Sequence, residues 1–169
     1  MQTHLQELKK TYSRQTYSVF SINRQQKIAD SQVTFSLAHS VFIIPVFGAA
    51  EITIGGNEFV CEGTTVVHVP AGQTVTYRTL YGRSFDHVNI YYDGIQGDVT
   101  SPIFNAYAFD PQGFNRILDK VLDLEKLNTT PLLDNRVAQI VNGTELIKSM
   151  FLLTNSQTLI SCINLNLLN

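Results

Sequence analysis

Residues 46–93 read VFGAAEITIGGNEFVCEGTTVVHVPAGQTVTYRTLYGRSFDHVNIYYD, and this stretch decides the fold. In Ala50–Ile54, Ala50, Ile52 and Ile54 face one way and Glu51 and Thr53 the other, the two-residue period of a strand. Gly55-Gly56-Asn57 closes a hairpin, because glycine accepts the positive φ of a tight turn. Further strands are expected at Glu58–Cys61, Thr65–Val69, Thr74–Thr79 and Asp86–Tyr92. Gly63 and the Pro70-Ala71-Gly72 corner separate three of them. Short strands at regular spacing predict an antiparallel sandwich or small barrel. A barrel has a mouth, and a mouth can hold a ligand.

Working outward, Tyr17–Asn23 and Gln32–Leu37 read as strands. Val41–Phe47 is almost wholly apolar, as a strand covered on both faces should be. Residues 1–15 are polar and read as an N-terminal arm. Beyond Asp93, Gly94, Gly97 and Pro102 mark a loop. Asp110-Pro111 then reads as a helix start, with Asp as cap and Pro in the first turn. Phe114, Ile117, Leu118, Val121, Leu122 and Leu124 form one broad face of that helix, with Arg116, Asp119, Lys120 and Asp123 opposite. Pro131 ends it near Leu127 or Asn128. A second helix is expected over Asp134–Leu153, with Asn142-Gly143 as a place where it kinks or splits. The tail 156–169 fits a helix or a strand. The organisation is thus an arm (1–15), a β-barrel (16–109) and a helical segment (110–169).

The chain has 169 residues, 44% of them hydrophobic and 15% charged. So sparse a charge supply leaves apolar surface that self-association would cover. The formal charge of −2 argues against a nucleic-acid-binding module, which is normally basic. Cys61 and Cys162 follow no metal spacing and read as reduced, buried thiols of a cytoplasmic protein. No secretory h-region is visible, and no run approaches the ~20 apolar residues needed to cross a bilayer.

The corner at Pro70-Ala71-Gly72, with Gly48 after an apolar strand and Gly63 before the corner, resembles the cupin superfamily. Metal-binding cupins hold their ion through three histidines and a glutamate. Counted from Gly48, the glutamate position falls on Val41 and the paired histidines on Thr34 and Ser36, or on Phe35 and Leu37. The remaining histidine position falls on Val75. Valine cannot ligate a metal, so no metal and no cofactor is expected. His39, His68 and His87 lie on or beside strands and form the basis of an alternative, a small cupin enzyme with a non-standard metal site. There is no Gly-x-Ser-x-Gly, phosphate-binding loop or dinucleotide fingerprint. Cys61 has no base beside it in the sequence. The expectation is therefore not an enzyme.

The order of the whole chain is similar to one cupin branch, the N-terminal sensory domains of AraC-type transcription regulators. The matching passages are Ile54–Gly63, Pro70–Tyr77 and Phe85–Asp93, followed by helices at Pro111–Leu127 and Asp134–Leu153. The resemblance implies a cupin-like antiparallel barrel (a double-stranded β-helix), mainly β, with two or three helices after it. It implies a bacterial, cytoplasmic sensor that binds a small effector such as a sugar, forms a homodimer, and reaches DNA only through C-terminal helix-turn-helix units not found here. A structural dimerisation module with a filled barrel is a further alternative.

Candidate ligand contacts are Tyr77, after the Pro-x-Gly corner, with His87, Asn89 and Tyr91 on one strand face, and Phe47 at the barrel wall. Alternation leaves the inward face open: Val88, Ile90 and Tyr92 form the other choice, and a one-residue slip exchanges the two sets. Ile140, Ile147, Met150 and Phe151 are the dimerisation candidates, on a helix stripe wider than one neighbour covers.

Overall fold

The computed structural model describes residues 17–94, 105–129 and 133–153. The arm and the tail named above lie outside these residues, as does Cys162. Nine strands come first: β1 (Tyr17–Lys27), β2 (Gln32–Ser36), β3 (Ser40–Phe47), β4 (Ala50–Ile54), β5 (Asn57–Cys61), β6 (Thr65–Val69), β7 (Thr74–Thr79), β8 (Phe85–Gly94) and β9 (Asn105–Ala108). Two helices follow, α1 (Pro111–Lys126) and α2 (Leu133–Leu153), joined by a 3-10 turn that begins at Leu127.

The strands form two antiparallel sheets. One has the order β1-β8-β3-β6-β9 and the other β2-β7-β4-β5. Each is apolar toward the other, and Val41, Ile43, Ile52, Ile54, Val67, Val75 and Phe85 pack between them. The outer face of the four-stranded sheet is wet. Thr34 and Thr76 share a hydrogen bond there at 2.9 Å, and Arg78 pairs with Glu51 at 2.8 Å. That wet face is why β4 and β7 alternate so cleanly in sequence.

The five-stranded sheet is covered on both sides. Its second face carries Ile22, Phe42, Ile44, Val66, Val88, Ile90 and Tyr92 against Phe114, Ile117, Val121, Leu146, Ile147 and Met150 of the helices. Two buried faces explain the unbroken apolar run Val41–Ile44 in β3.

Local chemistry sets the element ends. The Asp110 side chain accepts a hydrogen bond from the Gly113 N–H at 2.9 Å, capping α1 behind Pro111. Gly48 links β3 to β4 at φ 76°, and a Cβ there would sit 2.1 Å from the Ser84 carbonyl oxygen. Only glycine fits.

Three expectations are corrected. β1 runs four residues past Asn23, to Lys27. β9 was not expected, and it closes the edge of the larger sheet beside β6. Asn142-Gly143 does not break α2, which is continuous. Gly143 is instead a close-approach point: a Cβ there would lie 2.9 Å from Val19 Cγ2. Thr144, next along, has its hydroxyl 2.7 Å from the Ile140 carbonyl and 3.1 Å from the Tyr17 carbonyl, tying α2 to β1.

Candidate functional site

β8 lies between β1 and β3, so its alternation divides two environments rather than core from water. Val88, Ile90 and Tyr92 face the helices. Phe85 and Tyr91 pack in the space between the sheets, and strand alternation puts His87 and Asn89 on the same face. The register is settled: His87, Asn89 and Tyr91 point inward.

His87 and Asn89 are fully buried. Among the described residues, neither ring nitrogen of His87 nor the Oδ1 of Asn89 has a hydrogen-bond partner. Buried polar atoms without partners are rare and costly. The His87 ring lies on Phe85, centroids 4.5 Å apart and 11° from parallel, and 5.5 Å from Tyr77. Asn89 donates through Nδ2 to the Tyr91 hydroxyl at 3.2 Å.

Burial pushes the His87 pKa down from 6.5 to about 4, and the nearby Lys27 ammonium adds to this. The Phe85 backbone pulls the other way, without meeting hydrogen-bond geometry. The ring is thus neutral at pH 7, with one nitrogen able to donate and the other able to accept. Burial also holds the Tyr77 phenol well above its ordinary range, so it stays protonated.

β1 adds a set of residues the sequence reading missed. Ser21, Asn23, Gln25 and Lys27 stand opposite Tyr91, Asn89, His87 and Phe85 in the ladder. Directly opposed residues of an antiparallel pair share a face, so this polar stripe borders the same interior. The Lys27 ammonium lies 4.8 Å from the centre of the Phe35 ring and 5.5 Å from that of Tyr77. β1 and β2 are the outer strands of their sheets, and Lys27 at the end of this polar row reaches across to Phe35 of β2.

Tyr77, His87, Asn89 and Tyr91 are therefore brought together, and Phe47 is not. A register shift between Pro45 and Phe47 sets Phe47 opposite Asp86 instead of Phe85. Its side chain is 56% exposed, away from the interior. Ile147 and Met150 are also corrected as free dimer surface, because both are buried in this chain's own core. Ile140 is half-buried, and the Phe151 side chain lies outside the described set. Among the described side chains of α2, Val137 and Val141 are the exposed large apolar ones, at 52% and 56%.

The other histidines go elsewhere. His68 is buried on the helix-facing side, 2.5 Å from the Tyr92 hydroxyl. His39 pairs with Asp93 at 2.8 Å and stacks on Phe20. Among the described residues no three His, Cys, Asp or Glu side chains converge as metal ligands. Cys61 is buried, and desolvation pushes its thiol pKa up, which suppresses the thiolate. A cleft of about 310 Å³ between α1 and α2, lined by Lys120, Asp123, Asn142 and Glu145 among others, involves none of the inward-facing groups. No helix among the described residues is long and apolar enough to cross a membrane.

No protein-family model and no curated protein sequence matches the chain. Solved structures do. The chain is similar to ToxT from Vibrio cholerae strain SCE256, solved with an unsaturated fatty acid bound. The TM-score is 0.55 at 11% identity, covering 86% of this chain and 57% of ToxT. It is also similar to the Cnp3 cupin domain of Schizosaccharomyces pombe, with TM-score 0.40, 12% identity, and 51% and 67% of the two chains covered. EutQ of Clostridium difficile gives 0.38, 11%, 44% and 57%. The chain thus spans little more than half the length of ToxT or EutQ. At these identities the likeness is one of fold. The architecture is a cupin-like antiparallel β fold followed by two helices.

Proposed function

We propose that this chain is the effector-sensing and dimerisation domain of a bacterial, cytoplasmic AraC-type transcription regulator, acting by binding rather than catalysis. Its effector is a polar small molecule such as a sugar. DNA is contacted only through C-terminal helix-turn-helix units. The observation that carries this reading is the buried pair His87 and Asn89 between the sheets, where both His87 ring nitrogens and the Asn89 Oδ1 have no hydrogen-bond partner among the described residues. A ligand that hydrogen-bonds both would remove the cost of leaving them unpaired.

The architecture supports the reading: similarity to ToxT, a regulator of the AraC type, extends over both the barrel and the helices. Ligand binding shifts a regulator only by its differential affinity for two states. Here α2 rests on β1 through Gly143 and Thr144, and β1 borders the site through its opposite face. A ligand that moves β1 therefore moves α2. The test is a thermal-shift screen of sugars and small metabolites on the wild-type chain and on Asn89→Leu. The reading expects at least one compound that raises the melting temperature of the wild type and not of the variant. A screen in which every stabilising compound acts equally on both would contradict it.

A further inference from the structure

Resting on that proposal, we infer that the effector is a small hydroxylated anion, its charge held by Lys27 and a hydroxyl held by Asn89 and His87. Three observations converge on this chemistry.

Among the described residues Lys27 has no ion-pair partner. Two carboxylates of the strands are engaged with arginines: Asp86 holds Arg24 at 2.7 Å and Glu51 holds Arg78 at 2.8 Å. Its contacts are two aromatic rings and a long hydrogen bond to the Gln25 amide oxygen at 3.4 Å. Desolvation lowers its pKa from 10.5, which an adjacent carboxylate would oppose. An anion at this point is the missing partner.

The groups behind Lys27 need a donor. Asn89 Oδ1 accepts, and so does one nitrogen of the neutral His87 ring. A bare carboxylate at neutral pH donates nothing, so it satisfies Lys27 and leaves both acceptors unpaired. A neutral polyol does the reverse. A molecule with an anionic group and hydroxyls satisfies both ends. Third, the Phe35, Tyr77 and Phe85 rings form an apolar surface beside this line of polar groups, suited to the C–H face of a carbon backbone. Sugar acids, hydroxycarboxylates and polyol phosphates share these features.

The test uses four probes on the full chain: D-gluconate, glycerol 3-phosphate, sorbitol and hexanoate, each at about 10 mM, read by melting temperature and by calorimetry. Gluconate or glycerol 3-phosphate should raise the melting temperature by about 2 °C or more. Which of the two acts separates a carboxylate from a phosphate. Sorbitol lacks the charge and hexanoate lacks the hydroxyls, so both should act weakly. Lys27→Gln should weaken binding of the active anion by about tenfold or more, since the lost contact is charge-assisted. Lys27→Arg should restore most of it. The unliganded Lys27→Gln protein should melt no more than about 3 °C below wild type, because it loses two ring contacts and a long hydrogen bond but no ion pair among the described residues. If sorbitol stabilises as strongly as gluconate, and equally in Lys27→Gln, the anion inference falls while the sensing proposal stands. A flat response to all four probes also overturns the inference, and the broader screen with Asn89→Leu then judges the sensing proposal separately.

Discussion

The imidazole of His87 lies flat on the ring of Phe85, two residues before it on β8, with centroids 4.5 Å apart. Stacking of this kind holds the imidazole in the aromatic interior, and its two nitrogens find no partner among the described residues. Much of the chain's behaviour follows from this pair.

Acid should destabilise the protein through His87. Its folded pKa, about 4, lies below the ordinary 6.5. The unfolded chain therefore takes up a proton first as pH falls. Stability from this group is full above about pH 6.5 and is lost progressively down to about pH 4, by roughly 3 kcal/mol. Urea midpoints measured from pH 7 to pH 4 should fall in wild type. In His87→Phe the slope over this window should flatten. An unchanged slope would mean the imidazole titrates normally.

Gly48 should tolerate no side chain. Gly48→Ala places a Cβ 2.1 Å from the Ser84 carbonyl oxygen at a φ of 76°. The obstacle is backbone, which cannot swing aside as a flexible side chain would. A loss of about 2 kcal/mol or more is expected, measured by chemical denaturation. Gly56→Ala, in the β4–β5 turn at φ 81° with open space around it, should cost less.

The helices should depend on Gln139. Its amide donates to the Leu124 carbonyl at 3.0 Å and to Asn128 Oδ1 at 2.8 Å, while Asn128 donates to the Ile22 carbonyl. This chain of bonds links α2, the end of α1 and β1. Gln139→Leu keeps the volume and strips both acceptors of their donor, at a cost of about 2 kcal/mol. The melting temperature should drop by about 4–8 °C. A change within about 1 °C would show that water replaces the amide at no cost.

Dimerisation, if it uses α2, must use what the core leaves over. Ile147 and Met150 are spent inside the chain, so among the described side chains of α2 Val137 and Val141, one turn apart, are the apolar pair facing out. Val137→Asp with Val141→Asp should convert a dimer to a monomer in sedimentation velocity with no loss of melting temperature beyond that of separating the subunits. A dimer that persists in the double variant would place the interface elsewhere.

The sheets were legible because one face of β4 and β7 is wet, which writes a two-residue period into the sequence. α1 was legible from Asp110-Pro111 and its apolar stripe. The inward face of β8 was not. Both faces of that strand are covered, so His87 and Val88 are equally buried and periodicity has no contrast to report. The stripe Ser21-Asn23-Gln25-Lys27 was missed for the opposite reason. Alternating polar residues on a strand ordinarily mean solvent, and only the register against β8 shows that they border an interior. Phe47 was misplaced by a bulge, which sequence does not announce. β9 is four residues long, too short for its alternation to stand out.

The most direct test is a crystal structure of the domain grown with the compound that most raises its melting temperature. The account predicts non-protein density between the sheets, with a donor within hydrogen-bonding distance of Asn89 Oδ1 or a His87 nitrogen and its far end within reach of Lys27. A map in which those atoms are satisfied by the chain's own side chains, with the compound bound on the outside, would contradict it.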